Sequence, residues 1–269
     1  MHRYGWVLLV VAALLMVAGC SGDDDEPQAT PTTTAATTPG TTTDQPSTTT
    51  DQPSPTTTAS PTGEASPAPG PGRTLLRFVK AAGRGDADAM WALLGAPTQA
   101  SIGPTLEDFR TGSAEDLRRG LGSLAPTSRV ILSQRVGERW GAAAVAGRRK
   151  VGGRTEEFAY GAALAPEGGG WRLELGGVVL TRLKPEPLAV VGQSPAVGVN
   201  VGAAGDLNEL LMWLDGEALG VDRGGATPFT ATLSGRVTGP LSAGRHAVVA
   251  FAATSDTATA TAWTFRVRG

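Results

Sequence analysis

The chain begins with an apolar run that is too short to cross a membrane as a helix. Residues 6–18 read WVLLVVAALLMVA, about 13 residues where a membrane-spanning helix needs roughly 20. Arg3 places a positive charge before this run, and small residues follow it. A short apolar core between a positive start and small residues is typical of a secretory signal.

The next stretch, residues 21–72, has no apolar pattern at all. It contains no Leu, Ile, Val, Phe, Trp or Tyr and consists mainly of Thr, Ser and Pro, with TTTDQPS at 41–47 and again at 48–54. Because nothing in it can be buried to offset the entropy of ordering, we expect a disordered tether. A Pro-rich chain extends by about 3.1 Å per residue, so this tether would reach on the order of 100 Å.

Helical periodicity starts at residue 73. The first predicted helix places Leu75, Leu76, Val79 and Ala82 on one face, and Gly83 and Gly85 are expected to end it. Asp86 is a suitable N-cap for a second helix over 87–94. Capping-box patterns at 105–108 and 113–116 indicate further helix starts before Pro126.

Beyond Pro126 the period changes to two. Strands are predicted at 129–136, 139–149 and 155–165, and a fourth alternates through Trp171, Leu173 and Leu175, with hairpin turns at 151–154 and 166–170. Helices followed by an antiparallel sheet predict an α+β domain over residues 73–184.

Residues 185–269 are almost entirely β by pattern. Val197, Val199 and Val201 alternate with small or polar residues, and Asp215-Gly216 is a hairpin signal after an apolar run. The final strand places Trp263, Phe265 and Val267 on one face. About seven short strands in some 80 residues predict a β-sandwich.

Charge adds one candidate surface and excludes one class of partner. The whole chain has a net charge of −2. Residues 73–184, however, contain 17 Lys and Arg against 11 Asp and Glu, a net of 17 − 11 = +6. Arg148, Arg149, Lys150 and Arg154 cluster at one predicted hairpin, which is either a solvated turn or a contact with anionic wall polymer or lipid headgroups. An exported chain of this net charge is not expected to bind nucleic acid.

Candidate chemistry is sparse. The sequence has no Gly-rich phosphate loop, no zinc-ligand spacing and no nucleophile–base–acid set. Residues 73–184 contain one tyrosine, Tyr160, and no histidine. His246 is interpreted as a strand-edge residue, and Asp206, Asp215 and Asp222 fit no calcium loop. We therefore predict no catalytic, cofactor-binding or metal-ligating residue.

The segment Val17-Ala18-Gly19-Cys20 resembles the lipobox of bacterial lipoproteins. The resemblance implies transfer of diacylglycerol to the Cys20 thiol and cleavage before Cys20. Residues 1–19 would then be a signal peptide and residues 20–72 a lipidated tether on the outer face of the bacterial cytoplasmic membrane. Cys20 is the only cysteine in the chain, so no intramolecular disulfide can form. The alternative is an ordinary signal peptide that happens to end in a cysteine.

Both folded segments resemble known families. Residues 73–184 resemble the nuclear-transport-factor-2-like superfamily, a cone of helices packed on a curved antiparallel sheet, through Phe78, Gly85-Asp86, Met90-Trp91 and 169–173. Members often hold a pocket between the helices and the sheet. Residues 185–269 resemble bacterial immunoglobulin-like and fibronectin-type domains, and the resemblance rests on the segments 194–195, 213–216, 241–246 and 263–265.

Three functions remain open. The first is a non-catalytic binding or spacer module of the cell envelope, held at the membrane through Cys20, with a wall polymer or another envelope protein as partner. The second is a small-ligand carrier with a pocket in 73–184, and the third an enzyme of the cone-fold type. If Trp91, Trp140 and Trp171 fill the space between helices and sheet, the carrier is disfavoured.

Overall fold

The computed structural model describes residues 70–151 and 153–269. The predicted signal peptide, the lipobox with Cys20 and the tether up to residue 69 lie outside the described residues. No helix in the described ranges is both long and apolar enough to span a membrane.

The first helix starts at Pro71, two residues before the predicted start of the folded domain at residue 73. Proline is well suited to the first turn of a helix, where its missing N–H has no partner to lose. Gly72 is buried, and its N–H donates to Ser133 Oγ at 3.0 Å. A Cβ on Gly72 would lie 2.6 Å from a methyl group of Val130, so glycine allows this close contact.

Five α-helices and one 3-10 turn occupy the first part of the described chain. They are α1 Pro71–Arg84, α2 Ala87–Trp91, α3 Ala96–Ile102, α4 Leu106–Thr111, α5 Ser113–Leu121 and the turn Ala125–Thr127. Asp86 caps α2 as predicted, accepting a hydrogen bond from the Ala89 N–H at 3.0 Å. Thr105 and Asp108 form the predicted capping box of α4. The first helix continues through Gly83 and ends at Gly85, which has a left-handed φ of 67°.

The helices cover one face of a four-stranded antiparallel sheet in the order β1-β2-β3-β4. Its strands are β1 Arg129–Val136, β2 Trp140–Val151, β3 Arg154–Glu167 and β4 Gly170–Glu174. Fully buried aromatic and aliphatic side chains fill the layer between helices and sheet, among them Leu75, Phe78, Met90, Phe109, Leu164 and Leu173. The predicted helix-plus-antiparallel-sheet arrangement is therefore confirmed at this level.

The remaining strands form two further sheets. The first has the order β10-β11-β7-β5 and the second the order β6-β13-β12-β8-β9. The strands are β5 Val178–Lys184, β6 Val190–Val191, β7 Val197–Ala203, β8 Glu209–Leu214, β9 Glu217–Ala218, β10 Gly220–Gly224, β11 Thr230–Arg236, β12 Gly244–Ala253 and β13 Ala258–Val267. This is the strand order of an immunoglobulin-type sandwich with a short extra strand at each edge of the second sheet, β6 beside β13 and β9 beside β8. Val199, Leu233, Trp263 and Phe265 lie in its core.

Strand β5 belongs to the sandwich, although the sequence-based boundary at residue 184 assigns it to the first domain. Residues 178–184 were predicted to close the first domain, but β5 pairs with β7 along Val178–Thr181 and again at Lys184. Val178 is buried in the sandwich core. The change from one sheet to the other therefore occurs at Gly176 and Gly177, whose φ values of 129° and 86° are accessible to glycine.

The sandwich packs directly on the four-stranded sheet, and residues 70–269 belong to one compact unit. A third apolar cluster joins them, with Trp140, Ala142, Ala144 and Ala163 on one side and Phe251, Ala258, Ala260 and Ala262 on the other. Small side chains let the two sheets approach closely. The layers are thus helices, the first sheet, the sheet containing β12 and β13, and the sheet containing β7.

The stacking determines which side chains of β12 and β13 face the first sheet and which face the sandwich core. Val249 and Phe251 face the four-stranded sheet, while Val248 and Ala250 face the sandwich core. Thr264 of β13 is buried against the first sheet and donates to the Glu157 carbonyl at 2.5 Å. Phe229 immediately precedes β11 and is 50% exposed.

Candidate binding surfaces

The folded unit has two halves: the helical half, which comprises the helices and the first sheet (residues 71–174), and the sandwich (residues 178–267). A groove of about 320 Å³ lies at the junction where these two halves meet. The β8–β9 hairpin forms part of its wall, and this hairpin turns through Asp215 and Gly216 with φ values of 53° and 90°. Two consecutive residues with positive φ are the requirement of the tight turn that the Asp-Gly pair predicts. The Asp215 carboxylate accepts from the Ala247 N–H at 2.8 Å and contacts His246 Nδ1 at 2.7 Å.

Both ring nitrogens of His246 face acceptors. Nδ1 meets Asp215 Oδ2, and Nε2 lies 2.8 Å from the Ser242 carbonyl oxygen. Burial lowers the pKa of His246, but the hydrogen bonds to Asp215 and Ser242 and the charge of Asp215 outweigh burial and raise that pKa. Only the imidazolium can donate from both nitrogens. His246 therefore fastens the Asp215 turn to the loop before β12, and neither ring nitrogen is left to take a proton from a substrate.

The other charged side chains in this groove bridge the two halves. Arg129 Nη2 lies 2.7 Å from Glu157 Oε1, and Arg245 reaches Glu157 and Glu156 at 3.5 Å each. Glu157 and Arg129 belong to the first sheet, whereas Arg245 belongs to β12. The carboxylate of Glu157, 11% exposed, is thus neutralised by one guanidinium from each half. Sequence reasoning did not identify this cluster, because its members are remote along the chain.

The predicted basic hairpin is present, but its cations do not form one surface. Arg148 pairs across the strands with Glu157, Arg149 with Glu156, Lys150 with Thr155 and Val151 with Arg154. Because side chains alternate along a strand, Arg148 and Lys150 lie on one face of the hairpin and Arg149 and Arg154 on the other. The Arg149 guanidinium lies 3.6 Å from the ring centroid of Phe158, and burial lowers its pKa.

A second groove, of about 430 Å³, is basic and lies on the helical side. Arg77, Lys80, Arg84 and Arg172 line it together with Ala89, Ala92 and Leu93. Three of these cations recur at i, i+3 and i+7 on α1, a spacing that could have indicated a shared face. Arg172 joins them from β4, which the sequence could not show.

The three tryptophans that could fill the space between helices and sheet, Trp91, Trp140 and Trp171, do not all lie there. Trp91 packs on the helical side, 5.3 Å from the ring of Phe109. Trp171 packs against the same core and covers Gly141 of β2. Trp140 lies on the opposite face of the sheet, against the sandwich. Phe78, Phe109 and Leu164 are fully buried between helices and sheet, so this space is occupied by the protein's own side chains.

Tyr160 and Glu174 both have raised pKa values, and among the described residues no hydrogen bond joins them. Burial raises the pKa of Tyr160 to about 12. Among the described residues its hydroxyl makes no hydrogen bond to a carboxylate. Burial also raises the pKa of Glu174, which accepts from Thr98 Oγ1 at 3.1 Å. Within residues 70–151 and 153–269, no three His, Cys, Asp or Glu side chains are placed to hold a metal ion.

Comparisons with known proteins add little. No protein-family model matches the chain, and no curated protein matches it. Among solved structures, the chain is similar to titin Ig tandem domains A164-A165, with 10% identity, 52% of this chain and 96% of that chain covered, and a TM-score of 0.24. At these values the likeness supports no conclusion, and the immunoglobulin-type description rests on strand order alone.

Proposed function

We propose that this protein is a bacterial lipoprotein, held by a diacylated Cys20 on the outer face of the cytoplasmic membrane. Its folded unit would be a non-catalytic binding or spacer module of the cell envelope. The anchoring half of the proposal rests on the sequence Val17-Ala18-Gly19-Cys20 after a short apolar run. Two acyl chains satisfy the requirement for stable attachment, since one chain alone binds membranes only marginally.

The proposal that the folded unit is a binding or spacer module rests on one structural observation, the mutual pairing of charged side chains at the junction between the helical half and the sandwich. The ionisable side chains of the junction groove are used to hold the fold together: Glu157 by Arg129 and Arg245, and Asp215 by His246. A catalytic site would need such groups directed at a substrate. Their mutual contacts, with the apolar layer beneath them, favour a rigid body that presents its outer surfaces.

We further propose that the helical half is a divergent member of the nuclear-transport-factor-2-like superfamily. In support, helices cover one face of an antiparallel sheet. The half departs from the superfamily's ligand-binding members in that its helix–sheet layer is filled by side chains such as Phe78 and Phe109. This filled layer makes the carrier function less favoured than the module.

Anchoring is tested by fractionating cells that express the full chain, with Cys20→Ser compared to a matched control, Ser21→Ala. We expect the Cys20→Ser protein to leave the membrane fraction and the control to stay there. Both should have the same circular dichroism spectrum, because neither substitution changes a residue of the two domains that begin at residue 70. Retention of Cys20→Ser in the membrane fraction would contradict the proposal and make the leader the anchor.

A further inference from the structure

The basic groove on the helical side gathers cations from two separate elements. Arg77, Lys80 and Arg84 lie along the outer face of α1, and Arg172 comes from β4. Ala89, Ala92 and Leu93 complete the lining, so short side chains leave space between the charged groups. The groove is about 430 Å³.

The elements that carry these cations are fixed. The opposite face of α1 buries Leu75, Phe78 and Val79, and the N–H of Leu173, next to Arg172, bonds to the Leu93 carbonyl at 2.9 Å. Arg172 is half-buried, and its Nη1 donates to the Trp171 carbonyl at 3.2 Å. The guanidinium of Arg172 is therefore held at the groove, with its other N–H groups available.

These charges are poorly compensated by the fold. Within residues 70–151 and 153–269, Arg77, Lys80 and Arg172 take part in no ion pair, and Arg84 reaches only Asp86, at 3.5 Å with both side chains exposed. Elsewhere Arg110 and Arg129 have carboxylate partners at 2.6 and 2.7 Å. Like charges that share a groove repel one another, so an anion that binds there relieves this repulsion.

We propose that this groove is a binding site for a phosphate-bearing anion. Guanidinium groups match the oxygens of phosphate in paired, charge-assisted hydrogen bonds. Lys80 adds a compact charge on a flexible side chain, which can donate hydrogen bonds to the same phosphate oxygens. The phosphate belongs either to a lipid headgroup or to a soluble phosphate ester. The site does not depend on Cys20 and goes beyond the proposed anchoring, since it assigns a ligand class to the folded unit.

The test uses the mature full chain, residues 20–269, with Cys20→Ser so that no lipid of its own contributes. Binding is measured at low and at physiological salt to three probes: vesicles containing phosphatidylglycerol, vesicles of phosphatidylcholine alone, and inorganic phosphate or glycerol phosphate in solution. The groove variant is Arg77→Gln with Arg172→Gln. A second variant, Arg77→Gln with Lys80→Gln, changes only exposed side chains and so avoids any effect on folding.

The matched control removes the same charge at the hairpin, Arg148→Gln with Lys150→Gln, both exposed. We expect both groove variants to weaken binding about 25-fold, because each basic residue beside an anionic surface contributes a factor of about five. The control should change binding less than the groove variants do. Binding only to anionic vesicles assigns the phosphate to a headgroup, and binding to soluble phosphate assigns it to an ester.

Three results would overturn the site. The first is that the chain with Cys20→Ser as its sole change binds none of the probes at low salt. The second is an equal loss in the groove and hairpin variants, which would show an effect of net charge. The third is a loss only in the hairpin variant, which would move the anionic contact to Arg148 and Lys150.

Discussion

Gly161 offers the sharpest test of how the two halves are joined. It lies in β3, on the face that packs against β13. A Cβ built on Gly161 would lie 2.7 Å from the carbonyl carbon of Thr261, 2.9 Å from the nitrogen of Ala262 and 3.1 Å from the Cα of Thr261. All three are backbone atoms, so no side chain can rotate away, and Gly161→Ala must separate β3 from β13.

The magnitude follows from that geometry. Adding a methylene to a close-packed interior costs about 1–3 kcal/mol, and obstruction by backbone places Gly161→Ala in the upper half, about 2–3 kcal/mol. For a folded unit of this size each kcal/mol lowers Tm by about 2–4 °C, so the expected shift is about 4–12 °C. Gly202→Ala is the matched control, because a Cβ there meets nothing within 4 Å. It should be neutral or stabilise by about 0.4–1 kcal/mol.

The assay is thermal and urea unfolding of both variants, followed by circular dichroism and by tryptophan fluorescence. Trp140 faces the junction and Trp263 lies in the sandwich core, so the fluorescence reports on both parts. If Gly161→Ala unfolds at the same temperature as the wild type and Gly202→Ala, β3 and β13 do not approach as described, and the reasoning is refuted.

Three further predictions concern the same junction. Phe251→Ala should cost about 3–5 kcal/mol in urea unfolding, since the ring is fully buried between the sheets; a cost below 1 kcal/mol would place the ring outside that layer. Because the pKa of folded His246 lies above its unfolded value of about 6.5, its stabilising contribution is complete below about pH 6.5 and is lost as pH rises through the folded pKa. His246→Gln should flatten this dependence, and an unchanged pH profile would exclude His246 as its source. Glu157→Gln should lower the free energy of unfolding by about 1 kcal/mol at low salt, as measured by urea midpoints, and this loss should be smaller at high salt. An equal loss at all salt concentrations would argue against an ionic contribution.

Local signals predicted most individual elements. The N-cap at Asp86, the capping box at Thr105 and the Asp215-Gly216 turn are each set by residues close in sequence, and each is present in the structure. Alternation likewise predicted β1 with its observed ends, Arg129 and Val136. Such features depend on backbone preferences that operate within a few residues.

The stacking of the sandwich on the first sheet was not predictable in the same way. Residues 140–147 of β2 are buried without alternation, because helices cover one face of this strand and β13 approaches the other. A continuous run without polar alternation is typical of a strand covered on both faces. The composition of such a run does not identify which element covers it, since that depends on contacts between residues more than 100 positions apart, such as Thr264 with Glu157.

The candidate binding surfaces also separate into features that nearby residues predict and features that depend on distant contacts. The basic hairpin was found from four cations close in sequence, but strand alternation divides them between two faces. The basic groove was missed because Arg172 joins Arg77 and Lys80 only through the packing of β4 beside α1. Convergence in space, and not clustering in sequence, determines which cations can share one anion.

Attachment of this folded unit to the membrane is proposed to depend on a lipid carried by Cys20. Its most direct test is the mass of the N-terminal peptide from protein extracted out of bacterial membranes. We expect a peptide that begins at Cys20 and carries a diacylglyceryl group on its thiol. A peptide that still contains Gly19, or one that begins at Cys20 with a free thiol, would contradict it.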